Sequence, residues 1–126
     1  MKLVAREAET DALTAWLKDR PIRITSVLSR VEVLRAARRV AKTEEAVIAR
    51  ASAVLASVAI AALTDAIADR ASVLEPSTLR SLDAVHLATA VLAGPLEAFV
   101  VYDDRLAEAA RSAGIPVAQP GRQEIP

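Results

Sequence analysis

Three carboxylates in this sequence, Glu32, Asp83 and Asp103, lie at or just beyond positions where strands are expected to end. In parallel α/β sheets, ligands bind outside the carboxyl ends of the strands, so these acids are candidates for one shared pocket. Carboxylates that converge repel one another unless a cation neutralises them. We therefore expect a divalent metal ion at this cluster, and magnesium is favoured because it prefers oxygen ligands.

The chemistry that such a cluster supports is the hydrolysis of a phosphodiester. Bound magnesium keeps several waters, can activate one of them as a nucleophile, and stabilises the charge that develops on a phosphate during in-line attack. The sequence contains no cysteine, so any metal must be held by oxygen ligands or by His86, the single histidine. No serine or cysteine nucleophile is needed for this reaction.

Two of the acids also have purely structural interpretations. Glu32 has Arg35 three residues later, and the two could form an exposed ion pair on a helix surface. Asp83 falls in the first turn of a helix that we expect Ser81 to cap, where a negative charge is favourable whatever its function. The position of either residue alone therefore does not decide between a ligand and a structural role.

The third acid, Asp103, is followed directly by Asp104 at the end of the clearest predicted strand. Side chains alternate between the two faces of a strand, so one carboxylate can point to the site while its neighbour caps the next helix. We assign Asp103 to the site and Asp104 to the cap.

Helices and strands alternate along the chain, which is typical of a parallel α/β sheet. Apolar residues at helical spacing predict helices over residues 8–18, from 27 onward, one or two over 44–69, from Ser81 to 93, and from Arg105 to a glycine C-cap at Gly114. β-Branched and aromatic runs predict strands at 22–25, 72–74, 98–102 and 115–117. An all-helical bundle is disfavoured by the residues of 22–25 and 98–102.

Composition limits the class of protein. The 126 residues suffice for one domain, expected over 1–118, with a loose tail over 119–126. Sixteen Lys and Arg residues balance sixteen Asp and Glu residues, so the overall charge does not indicate a non-specific nucleic-acid binder. The longest apolar run is too short to cross a bilayer and no signal peptide is recognisable, so we expect a cytoplasmic protein without a membrane partner.

Three segments closely resemble the signature segments of VapC-type PIN-domain toxins. They are residues 26–35 with Glu32, residues 79–90 with Asp83 and His86, and residues 100–110 with Asp103. Their order and intervals also match, and residues 6–10 are similar to the stretch after the family's first helix, so the likeness covers nearly the whole chain. The resemblance implies a PIN-like three-layer α/β sandwich, in which helices flank a parallel central sheet.

The resemblance also implies an activity, a cofactor and partners. It implies a magnesium- or manganese-dependent endoribonuclease, the usually dimeric toxin of a toxin-antitoxin pair, inhibited by a cognate VapB-type antitoxin. Asp83 and Asp103 match the family's metal-binding aspartates, and Glu32 matches the glutamate that completes the acidic pocket. His86 falls at a familiar position of its segment, but we expect a packed helix histidine there rather than a ligand.

The chain departs from the family pattern at its start. Family members open with a hydrophobic strand that ends in an Asp-x-Ser or Asp-x-Thr motif, whose aspartate is the first metal ligand. Residues 1–4 instead resemble the middle of the helix after that motif, and neither Glu7 nor Asp11 is a credible substitute for the aspartate. We expect the N-terminal strand to be absent, through a start assigned too late or a real truncation. A truncated chain would be an impaired remnant that binds an antitoxin or dimerises without cleaving RNA.

Arginines close to the candidate acids suggest where a substrate would bind. Arg35, Arg38 and Arg39 form a basic stripe on one predicted helix, and Arg80 precedes Asp83 by three residues. Arg35 and Arg80 are candidates for holding RNA phosphates beside the pocket. A solvated arginine face that binds nothing is the alternative.

Overall fold

A computed structural model describes residues 9–40 and 45–122, and in this part of the chain there are six helices and four short strands. The elements in chain order are α1 (Thr10–Lys18), β1 (Ile24–Ser26), α2 (Leu28–Val40), α3 (Glu45–Ala56), β2 (Ala59–Ala61), α4 (Asp65–Ser72), α5 (Ser81–Leu92), β3 (Phe99–Val100), α6 (Asp104–Ser112) and β4 (Val117–Ala118). The expectations for residues 1–8, for residue 44 and for the tail over 123–126 lie outside the described residues.

The chain forms two compact units. The first comprises Met1–Ile60 and Pro120–Pro126, and the second is the continuous segment Ala61–Gln119. Glu32 belongs to the first unit, whereas Asp83 and Asp103 belong to the second.

In the first unit, α2 packs against α3 through small aliphatic side chains. Ala37, Val47 and Ala51 are buried at the centre of this contact. Such residues recur on one face of each helix, which is why periodicity predicts both helices. The short strands β1 and β2 form a two-stranded sheet, in which the amide of Ala59 donates to the carbonyl of Arg23 over 2.9 Å.

In the second unit, β3 and β4 are parallel neighbours joined by α6. Phe99 pairs with Val117, and Val100 pairs with Ala118. Parallel strands need a crossover connection, and α6 supplies it. Gly114 ends α6 with a φ of +80°, a left-handed conformation that glycine adopts without strain, and this confirms the predicted C-terminal cap.

The core of the second unit is built largely from small side chains. Leu87 is fully buried, and beside it lie Val101 and Leu106 together with the α6 residues Ala107, Ala109 and Ala110. Small residues on a helix face allow its backbone to approach neighbouring elements closely. The scarcity of aromatic residues in the sequence is therefore reflected in an aliphatic core, as the composition indicates.

The α/β character and the parallel strands are confirmed, but each sheet in the described residues has only two strands. Three of the predicted strands are shorter or shifted. The strand predicted at 22–25 is Ile24–Ser26, the strand predicted at 98–102 is Phe99–Val100, and the strand predicted at 115–117 is Val117–Ala118. The prediction for residues 44–69 missed β2, because Ala59–Ala61 offers little β-branched content in an alanine-rich stretch.

The predicted strand at residues 72–74 is wrong. Ser72 is the last residue of α4, and Val73 is its C-cap. The Ser72 hydroxyl donates to the carbonyl of Ala68 over 2.8 Å, a bond that serine makes within helices. The amide of Val73 likewise donates to the carbonyl of Arg70, so local helical bonding replaces the expected strand.

Candidate active site

Asp83 lies in the first turn of α5. The N-cap of this helix is Arg80, with extended backbone angles of φ −61° and ψ 146°, and Ser81 is the first helical residue. The prediction that Ser81 caps the helix is therefore wrong by one residue, and no side chain of the N-cap bonds to the backbone there. A carboxylate at the third helical position still favours the helix start, because it faces unpaired amides.

Asp103 is the N-cap of α6, so the assignment of the cap to Asp104 is wrong. Its Oδ1 accepts a hydrogen bond from the amide of Leu106 over 3.0 Å, while Asp104 is the first helical residue. The extended backbone of Asp103, with φ −69° and ψ 124°, is the conformation that an N-cap requires. A carboxylate has two oxygens, so capping by Oδ1 leaves Oδ2 of the same residue available for a site.

The structure brings Asp83 and Asp103 to the same guanidinium group. Arg80 Nε donates to Oδ2 of Asp83 over 3.2 Å, and Arg80 Nη2 lies 3.7 Å from Oδ2 of Asp103. The side chain of Asp83 is 19% exposed and that of Asp103 is 45% exposed, whereas that of Arg80 is 74% exposed. The two carboxylates therefore face one cation at the surface of the second unit.

Glu32 lies in the second turn of α2, where the sequence predicts it, and its side chain is exposed. The start of α2 is held by the buried Ser26, whose hydroxyl accepts a hydrogen bond from the amide of Leu28 over 3.2 Å. Arg35 is exposed on the same helix, as are Arg38 and Arg39. The convergence of Glu32 with the two aspartates stays a prediction.

Over residues 9–40 and 45–122, no group of three or more acids and histidines is close enough to hold a metal ion. The pair formed by Asp83 and Asp103 nevertheless suits a hard divalent cation, because its oxygens are the ligand type that such an ion prefers. The same pair already holds a cation, the Arg80 guanidinium. His86, one turn beyond Asp83 on α5, is half-buried, and its predicted packing role stays a prediction.

Two features of the site were not predicted from the sequence. The contact of Arg80 with Asp103 joins residues 23 positions apart, and only the packing of the folded chain reveals it. Gln119, assigned to the loose tail, donates from Nε2 to the carbonyl of Val101 over 2.9 Å and so supports the chain just before Asp103. Gln119 lies between two prolines in a segment without helical periodicity, and nothing in that segment predicts the bond.

Comparison with known proteins gives consistent results. The model of the PIN domain family matches residues 1–112. Ribonuclease VapC35 of Mycobacterium tuberculosis is 42% identical over 127 residues, covering 97% of this chain and 92% of the relative. Ribonuclease VapC46 of the same species is 41% identical, covering 95% and 91%, and ribonuclease VapC47 is 38% identical, covering 95% and 90%. No solved structure is significantly similar.

Proposed function

Since this chain belongs to the PIN-domain family of VapC ribonucleases, we propose that it is the endoribonuclease toxin of a toxin-antitoxin pair, hydrolysing RNA phosphodiesters. The observation that carries the proposal is the meeting of Asp83 and Asp103 at one cation, with Oδ2 of Asp103 not engaged in the helix cap. Both aspartates lie in the signature segments that resemble the family.

We propose that Asp83 and Asp103 hold a divalent cation and that Glu32 completes the acidic pocket. Magnesium fits this oxygen donor set, and manganese is an alternative. When bound, such an ion supplies neutralisation of phosphate charge and activation of a water for attack on phosphorus. The carboxylates fix where the attack occurs, because one is held at a helix start and the other at a helix cap.

The arginines of the site would bind the phosphates of the RNA. Arg80 is exposed beside both aspartates, and Arg35 is exposed on the helix that carries Glu32. Guanidinium groups bind phosphate oxygens through charge-assisted hydrogen bonds, so these two residues would hold the RNA backbone. Such contacts orient the strand without reading its sequence.

The partners and the wider architecture follow from the family. The relatives are named as VapC ribonucleases, which favours a VapB-type antitoxin as the cognate inhibitor and a homodimer as the assembly. We propose the three-layer PIN sandwich with one domain over 1–118, and a cytoplasmic location. Among the helices of residues 9–40 and 45–122, none combines the length and the hydropathy of a membrane span.

The test is cleavage of a fluorescently labelled single-stranded RNA by the purified full chain. Chelation of divalent ions should abolish cleavage, and added magnesium or manganese should restore it. Asp83→Asn and Asp103→Asn should each lower kcat/KM by about 100-fold or more, since even outer-shell partners of a metal contribute 10- to 100-fold. Asp104→Asn is the matched control, because it neutralises the adjacent aspartate, and it should retain activity.

Glu32 is tested in the same assay. Glu32→Gln should lower cleavage, and Glu108→Gln, an exposed glutamate of α6, should not. Chelator-resistant cleavage, or full activity of Asp83→Asn, would contradict the proposed function. Binding of an antitoxin by a chain that never cleaves RNA under any metal condition would also contradict it.

A further inference from the structure

We propose that Arg80 is a positioning residue: its guanidinium holds Asp83 and Asp103 together in the metal-free protein and gives way when a divalent ion binds. The inference rests on the proposed function, because it concerns the same two carboxylates. It assigns Arg80 a role before RNA arrives, in addition to the phosphate contact proposed above.

The arginine and a metal ion would need the same atoms. Arg80 faces Oδ2 of Asp83 at 3.2 Å and Oδ2 of Asp103 at 3.7 Å. The other oxygen of Asp103, Oδ1, accepts the amide of Leu106 at the start of α6. An ion that binds Asp103 through the oxygen not engaged in this cap therefore uses the oxygen that faces Arg80.

A metal ion and the Arg80 guanidinium are expected to compete for these oxygens. A guanidinium that remained within hydrogen-bond distance of both would lie a few ångströms from the metal, where like charges repel strongly. The Arg80 side chain is 74% exposed, so it is free to rotate into solvent. Exposed ion pairs are weak, so the metal ion can displace the arginine. Because the ion pairs must first be broken, Arg80 lowers the apparent affinity for the metal.

Once displaced, Arg80 would be available to bind the RNA substrate. Arg80 is the N-cap of α5, so its backbone stays beside the acidic pair when its side chain moves into solvent. An exposed cation next to a metal-bound carboxylate pair is suited to a phosphate oxygen of the RNA. Arg80 thus keeps two like charges together before metal binding and is available to the substrate afterwards.

The experiment is calorimetric titration of the metal-free full chain with manganese and with magnesium. Arg80→Gln should bind both ions about two- to fivefold more tightly than the wild type, the factor expected from the loss of exposed ion pairs. The matched control is Arg111→Gln, which removes the same charge from an exposed arginine at the opposite end of α6. This control should change the affinity less than Arg80→Gln does.

Thermal unfolding supplies a second readout. Without metal, Arg80→Gln should lower Tm by about 1–5 °C, because the two carboxylates lose their counterion. At saturating magnesium the deficit should vanish, because the arginine no longer contacts the pair in the wild type. Weaker metal binding by Arg80→Gln, or a deficit that persists at saturating magnesium, would overturn the inference.

The failure of this inference is distinguishable from failure of the proposed function. If Asp83→Asn abolishes metal binding while Arg80→Gln leaves the affinity unchanged, the metal site stands and the role of Arg80 is wrong. If Asp83→Asn binds metal as the wild type does, the site itself is wrong.

Discussion

The two carboxylate oxygens of Asp103 have different roles, one in the helix cap and one in the proposed site. Oδ1 begins α6 by accepting the amide of Leu106, and Oδ2 faces Arg80 and is the proposed metal ligand. The backbone of the residue is therefore fixed by the helix that it starts. The cap leaves Oδ2 to face Arg80, which holds it beside Asp83.

This division of labour predicts that activity and stability separate at Asp103. Asp103→Asn keeps an oxygen for the cap, and asparagine is a good N-cap residue, so stability should change little while cleavage is lost. Asp103→Ala should lose cleavage and about 1 kcal/mol of unfolding free energy as well. Urea unfolding and RNA cleavage of both variants provide the measurements.

The control for the cap is Thr64→Ala. Thr64 caps α4 through the same kind of bond, accepting the amide of Ile67 over 3.2 Å. This variant should lose a similar amount of stability and keep its metal-dependent cleavage. Equal stability of Asp103→Ala and Asp103→Asn would show that Oδ1 does not hold the helix start.

At the scale of elements, the strand pair β3 and β4 determines where Asp103 lies. The two strands contribute only two residue pairs, so bonds beyond their ends matter for their register. One such bond joins the Gln119 side chain to the carbonyl of Val101, and another joins the Val101 amide to the carbonyl of Ala118. Both act on the residue two positions before Asp103.

Breaking the side-chain bond should loosen this end of the sheet. Gln119→Ala is expected to lower the unfolding free energy by about 1 kcal/mol, the usual contribution of one hydrogen bond. Gln119→Glu keeps the size of the side chain but replaces the donor with an acceptor, so it should destabilise at least as much. Wild-type stability of Gln119→Glu in urea unfolding would exclude a role for the bond.

The elements also show what the sequence can and cannot predict. Strong 3.6-residue periodicity predicts α1, α2, α5 and α6, and turn glycine predicts the end of α6. The strand β2 was not predicted, because its alanines are compatible with a helix as well as with a strand. The cap was assigned to Asp104 from the alternation of side chains along a strand. That alternation does not show that the backbone is still extended at Asp103, which is therefore the N-cap.

The candidate site was predictable in part for a physical reason. Asp103 follows β3 and begins α6, so the carboxyl-end rule locates it from the sequence. Asp83 is located only as an acid in the first turn of α5, because the strand predicted before it, at 72–74, is wrong. The position of Arg80 between the two aspartates depends on how α5 and α6 pack, and no local pattern encodes that distance. Glu32 is correctly located on α2, and its approach to the aspartates remains for the mutational test.

For the whole molecule, electrostatic attraction to RNA must come from local groups. Positive and negative side chains balance at 16 each, so the net charge gives no general affinity for phosphates. The exposed arginines of α2, among them Arg35, are the local groups that lie on the helix of Glu32. Their contribution should appear in the salt dependence of binding.

The affinity for single-stranded RNA should therefore fall with salt, with a slope that reports the number of phosphate contacts. In an Asp83→Asn background, which prevents cleavage, Arg35→Gln should reduce the slope of log K against log salt by about 0.7. Fluorescence anisotropy at several salt concentrations gives the slope. Arg70→Gln, an exposed arginine of α4, is the control, and an equal effect of this control would mean that the contact is not specific to α2.

The alanine-lined core around α6 limits how this protein can diverge. Ala107 and Ala110 are completely buried, so a larger residue at either position would have no space unless its neighbours moved. Evolution can therefore exchange these residues for glycine or serine more readily than for leucine or phenylalanine. Functional descendants of this sequence should vary in their exposed arginines long before they vary in the packing that presents the acidic pair.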